Sequence, residues 1–127
     1  MTIRLLLVDD HAVVRSGLKM LLSGQKEMEI VGEAASAHEA LTETARVQPN
    51  VILMDIGLPD KTGIEATREI KAKFPDVKIV ALTIHEDEEY FFQMLAAGAS
   101  GYVPKRAAPD ELITAINAAA EGEVYLY

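Results

Sequence analysis

Leu5-Leu6-Leu7-Val8-Asp9-Asp10-His11 is the stretch on which the fold turns: four apolar residues without a break, then two acids and a histidine. An unbroken apolar run this short is the pattern of a strand buried on both faces, as in a parallel sheet held between helices. The pattern returns at Val51-Ile52-Leu53-Met54, followed by Asp55, and at Ile79-Val80-Ala81-Leu82, followed by Thr83. Two further segments are less apolar. Residues 28–34 carry Glu29 and Glu33, and Gly101-Tyr102-Val103 is short, which suits the two edges of a sheet.

Five helical segments alternate with these strands. Val14, Leu18, Leu21 and Leu22 share one face of the first, and Ser36 with Glu39 makes a capping box opening the second, which Pro49 bounds. Ile64, Thr67, Ile70 and Lys71 keep helical spacing in the third. The fourth begins in the acidic run Glu86-Asp87-Glu88-Glu89 and stops at Gly98. Pro109-Asp110-Glu111 opens the fifth, with Leu112, Ile113, Ile116 and Ala120 as its buried stripe. Met20 and Met94 are expected to pack inward beside Leu21 and Leu95. Of Tyr90, Phe91 and Phe92 at least one stays exposed, because three consecutive residues cannot all face one side of a helix. A (βα)5 alternation with interior first, third and fourth strands predicts an α/β, doubly wound parallel sheet of flavodoxin-like order 2-1-3-4-5. Such sheets bind ligands at the carboxyl ends of strands one and three, where the order reverses.

Composition narrows the function. At 127 residues the chain has room for one core, and 50% hydrophobic with 25% charged residues is ordinary for a globular domain. A net charge of -8 opposes general attraction to nucleic-acid phosphates or anionic lipid. The absence of cysteine removes disulfides, thiolate zinc sites and cysteine nucleophiles. No apolar run approaches the ~18 residues of a membrane span, and the expected location is the cytoplasm.

The polar residues at the strand ends carry the chemistry. Asp9 and Asp10 end the first strand, Asp55 the third and Thr83 the fourth, while Lys105 lies just past the fifth. Five polar groups from four strands therefore meet at one rim. Carboxylates gathered there repel one another, and a cation relieves the repulsion. Oxygen ligands without cysteine or clustered histidines suit Mg²⁺ better than zinc. With a lysine and a threonine hydroxyl added, the site has the charge and donors that a phosphoryl group needs, and one carboxylate can itself be the acceptor. His11 is expected to be an exposed residue leading into the first helix, His38 a surface residue, and His85, two after Thr83, a candidate for tuning phosphoryl hydrolysis.

These residues resemble a known family. Residues 5–11, Met54-Asp55-Ile56-Gly57-Leu58-Pro59-Asp60 with Gly63, Ala81-Leu82-Thr83 and Gly101-Tyr102-Val103-Pro104-Lys105 are similar to the CheY-like receiver domain of two-component response regulators. The Gly57–Asp60 turn and the ending Glu121-Gly122-Glu123-Val124-Tyr125-Leu126-Tyr127 look most like the NarL/FixJ (LuxR-type) branch. The resemblance implies that Asp55 accepts a phosphoryl group from a sensor histidine kinase or a small phosphodonor. It implies Mg²⁺ held directly by Asp10, Asp55 and the carbonyl of Gly57, with Asp9 acting mainly through a water. Lys105 would pair with one phosphoryl oxygen and Thr83 with another, and Tyr102 would rotate inward as Thr83 moves.

It further implies a receiver domain over residues 1–122 and the start of a linker at 123–127. A helix-turn-helix domain outside this chain would supply DNA contact, and phosphorylation would favour a homodimer through the fifth helix. Many receivers carry a proline directly after the lysine; Arg106 stands there in this chain, so an all-trans loop is expected. The sequence leaves two other readings open. A Mg²⁺-dependent phosphatase of the haloacid dehalogenase type would show a D-x-D motif after the first strand where this chain has Asp9-Asp10, and a pseudo-receiver would lack site residues that this chain retains.

Overall fold

A computed structural model describes residues 2–84 and 88–126. The strands are β1 (Ile3–Val8), β2 (Met28–Ala34), β3 (Val51–Asp55), β4 (Lys78–Thr83), β5 (Gly101–Pro104) and β6 (Tyr125–Leu126). The helices are α1 (Ala12–Ser23), α2 (Ala37–Val47), α3 (Gly63–Lys73), α4 (Glu88–Ala96) and α5 (Pro109–Ala120). All strand pairs are parallel, in the order β2-β1-β3-β4-β5-β6.

Alternation along each strand sorts the core into two layers. Leu5, Leu7, Val51, Leu53, Val80, Leu82 and Val103 pack with Leu22 of α1 and with Leu112, Ala115, Ile116 and Ala119 of α5. The opposite face sends Leu6, Val8, Ile52, Met54 and Ile79 against Ala37 and Ala40 of α2 and Ala66 and Ile70 of α3. A third cluster of Ile56, Ala81, Met94, Ala99 and Tyr102 lies under α4.

The order 2-1-3-4-5 expected from the sequence is present and is extended by one strand. β6 pairs with β5 at Gly101↔Tyr125 and Tyr102↔Leu126, so β5 is not the last strand. The Tyr125 N–H donates to the Ser100 carbonyl at 2.8 Å, and its hydroxyl bonds a Glu111 carboxylate oxygen on α5.

Helix faces differ in detail from their apolar spacing. Met94 is buried as expected, but Met20 is 81% exposed, because α1 buries only Leu22 fully and turns Met20 outward with Val13. Leu18 and Leu21 are half-buried at the edge of the core. In α3, Ile64 and Lys71 are only partly covered, while Ala66 joins Thr67 and Ile70 inside. In α5, Ile113 and Ala120 are half-buried, and Ala115 and Ala119 hold the inner positions. Phe92 is the exposed aromatic, at 61%. Gly98 takes φ 108° after α4, as a helix-ending glycine does. No peptide bond among the described residues is cis. His85, Glu86 and Asp87 lie outside the described residues.

Candidate functional site

Strand register builds the site. Val8 pairs with Met54, so the next residue of each strand sets Asp9 beside Asp55. Asp55 pairs with Leu82, which places Thr83 one step further along, and Thr83 pairs with Pro104, whose successor is Lys105. The Lys105 N–H donates to the Thr83 carbonyl at 2.7 Å, locking the fifth strand's exit to the fourth's.

The Lys105 ammonium lies 3.2 Å from Asp55 Oδ2 and 3.8 Å from Asp9 Oδ2. Asp55 Oδ1 accepts from the Gly57 N–H at 3.2 Å, and Asp9 Oδ1 accepts from the His11 N–H at 2.8 Å. Asp9, Asp55 and Thr83 are buried, whereas Asp10, His11 and Gly57 are exposed. Tyr102 is buried in this structure and meets Phe91 edge to face, with ring centroids 5.4 Å apart.

Asp9, Asp10, His11 and Asp55 each offer one ligand atom, and these atoms lie within 4.8 Å of one another. Asp9 Oδ2 is buried without a hydrogen-bond partner, a cost that a metal-bound water or a cation would relieve. The Lys105 ammonium meets Asp9 and Asp55, and Asp10 adds a third carboxylate beside them, which leaves negative charge for a divalent ion. Oxygen donors, some buried and some open to solvent, fit Mg²⁺, which keeps several of its waters.

Two supports of this site were not read from the sequence. Arg15 of α1 points back along its helix toward the N-terminus, where its guanidinium donates to the Asp9 carbonyl and, at 3.0 Å, to Glu33 of β2. Lys19 also reaches Glu33, at 2.9 Å, and the two cations, Lys19 foremost, hold the Glu33 carboxyl below its usual range. The second support is Asp60, beyond the phosphoacceptor candidate. Its oxygens accept from the N–H groups of Ala37 at 2.9 Å and His38 at 3.0 Å, so the loop after β3 caps the neighbouring helix α2. The signal was hidden because α2 already carries its own cap: Ser36 accepts from the Glu39 N–H, and the Glu39 carboxylate accepts from the Ala35 N–H.

Those backbone bonds, from Ala37 first and His38 second, depress the Asp60 carboxyl below its ordinary value. A depressed folded-state pKa contributes stability above the unfolded value of about 3.9, and the contribution is lost as pH falls through the folded value. The gap in urea midpoint between wild type and Asp60→Ala is therefore expected to be largest near neutrality and to shrink in acid. A pH-independent gap would refute the ionic cap.

With the rim in place, the chain's class follows: residues 5–117 match the response regulator receiver domain, and the chain belongs to that family. It is 42% identical over 124 residues to the oxygen regulatory protein NreC of Staphylococcus carnosus, covering 97% of this chain and 57% of that protein. It is 39% identical over 125 residues to the transcriptional regulatory protein DegU of Brevibacillus brevis, covering 98% of this chain and 53% of that one. The chain thus spans a little over half the length of these relatives.

Among solved structures, a two-component response regulator of the LuxR family from Aurantimonas sp. SI85-9A1 matches with a TM-score of 0.95 at 38% identity, covering 99% of this chain and 90% of that one. The isolated REC domain of RcsB from Salmonella enterica serovar Typhimurium, determined in the presence of the phosphomimetic BeF3-, matches at 0.91 and 25% identity, over 99% of this chain and 94% of that one. The chain is a receiver domain of two-component response regulators, of the NarL/DegU type. Among the described residues no helix is long and apolar enough to cross a membrane.

Proposed function

We propose that Asp55 is the phosphoacceptor of a phosphorylation-dependent signalling switch. The observation that carries the reading is the pairing of Asp55 Oδ2 with Lys105 at 3.2 Å beside a buried Asp9 oxygen that lacks a hydrogen-bond partner. An oxygen of the Asp55 carboxylate attacks phosphorus, forming an O–P bond as the donor's bond to phosphorus breaks. With a sensor histidine kinase the broken bond is P–N and the imidazole leaves; with acetyl phosphate it is P–O and acetate leaves.

Asp10, Asp55 and the Gly57 carbonyl would hold Mg²⁺, with Asp9 acting through water, and the bound ion would supply charge neutralisation for the phosphoryl oxygens. Lys105 supplies the fixed positive charge on the other side, and Thr83 donates its hydroxyl to a phosphoryl oxygen. Thr83 then couples the phosphoryl group to Tyr102, which packs on Phe91 of α4. The role is signalling in the cytoplasm, with self-phosphorylation from small donors and loss of the phosphoryl group to water as its only chemistry.

Output passes through a changed surface. Self-association through α5 is favoured by phosphorylation, and DNA is reached through a helix-turn-helix domain joined by the segment that starts near residue 123, of which Tyr125–Leu126 add to the sheet as β6. Incubation with acetyl phosphate and Mg²⁺ is expected to add one phosphoryl group by intact mass, and chelation of the metal to prevent it. A chain that stays unmodified in Mg²⁺ would overturn the reading.

A further inference from the structure

The chain does not leave α5 freely. Gly122, at φ 86°, donates its N–H to the Ala119 carbonyl at 3.0 Å, and the Glu123 N–H reaches the Ala118 carbonyl at 2.9 Å, a helix-ending turn with both of its bonds made. The turn sends the chain back alongside β5, where Gly101 pairs with Tyr125 and Tyr102 with Leu126. A ladder this short does not hold a strand by itself. Tyr125 adds the rest: it is half-buried against the core layer under α5, its N–H donates to the Ser100 carbonyl at 2.8 Å, and its hydroxyl bonds Glu111 in the first turn of α5. Short edge elements of this kind open at free energies well below that of the whole fold, so a modest force can tip them. The residue beside β6 is Tyr102, whose ring is buried and meets Phe91 of α4. One residue therefore carries α4 on its ring and β6 on its backbone.

We propose that residues 122–126 form a strap, anchored by the Tyr125–Glu111 bond, whose hold on β5 is coupled to the position of Tyr102, so that phosphorylation tightens the strap and sets the path of the residues that follow. The inference rests on the reading of Asp55 and Thr83 above, in which the phosphoryl group favours an inward Tyr102. In this structure the ring is buried and β6 is paired, so the two arrangements occur together. A group that favours the first then favours the second, and the size of the effect is their coupling free energy.

Amide hydrogen exchange of the chain tests this, in Mg²⁺ with and without excess acetyl phosphate, phosphorylation being followed by intact mass. The Tyr125 N–H is the reporter, since its bond to Ser100 exists only while β6 is in place, and β2 at the opposite edge of the sheet is the control. Coupled sites commonly influence each other by roughly 5–150-fold, so exchange at Tyr125 is expected to slow by about fivefold or more on phosphorylation while β2 stays within about twofold. Tyr125→Phe keeps the ring and removes the bond to Glu111, and exchange of the residue-125 amide is expected to be about tenfold faster than in wild type. Unchanged or faster exchange at Tyr125 in the phosphorylated chain, or equal slowing at β2, would overturn the coupling and leave Asp55 as the acceptor. Wild-type exchange in Tyr125→Phe would refute the anchor. A chain that takes no phosphoryl group would sink the acceptor reading and this inference with it.

Discussion

Asp55→Asn is expected to reduce phosphoryl incorporation to background while leaving the fold intact. The amide keeps the volume of the carboxylate at the end of β3 but loses the attacking oxygen and the charge that Lys105 meets at 3.2 Å. The strand itself is held by its ladder with β1 and β4 and by the apolar residues before it, none of which the change touches. Circular dichroism and the urea midpoint should therefore stay close to wild type while intact mass shows no adduct. Phosphorylation of the variant at wild-type levels would move the acceptor to another residue, with Asp9 and Asp10 the first to map.

The second large effect lies next to the site. Gly63 opens α3, and its N–H donates to the Ile56 carbonyl at 3.0 Å, one residue past Asp55. A Cβ added there would stand 2.7 Å from the Ile56 Cα and 3.1 Å from its Cβ. The obstacle is backbone, so no rotamer change relieves it. Gly63→Ala is expected to cost about 1–3 kcal/mol, in the range of overpacked cores. Gly17 gives the opposite sign: it lies inside α1 with nothing within 4 Å of an added Cβ, so Gly17→Ala should stabilise by roughly 0.5–1 kcal/mol. Urea unfolding of the two variants measures both. Equal midpoints for Gly63→Ala and wild type would show that α3 can shift at no cost.

The strands and the gathering of Asp9, Asp55, Thr83 and Lys105 were legible because both depend on short-range pattern. Each central strand is an unbroken apolar run, and each run ends directly on its polar residue, so parallel order alone brings the ends together. The burial of α1 was not legible. Val13 and Met20 give the helix more apolar residues than the sheet covers, and no local signal says which of them stay outside. β6 is two residues long, too short to show a period, and depends on bonds to a strand more than twenty residues away. Asp60 and Arg15 act on other elements through space, Asp60 on α2 and Arg15 on the β1 exit and β2, so neither role shows in its own neighbourhood.

The two-residue strand β6 also bears on how the protein keeps apart from other unfolded or partly folded chains. A long, flat, unpaired strand edge is a template for amyloid-like growth. On one side of this sheet β6 covers the open hydrogen-bonding groups of Gly101 and Tyr102. On the other side, β2 carries Glu29 and Glu33, and the register slips where Leu5↔Ile30 gives way to Leu6↔Gly32. Charge and a bulge blunt one border, and an added strand covers the start of β5 at the other, so the two ends of the sheet are protected by different means.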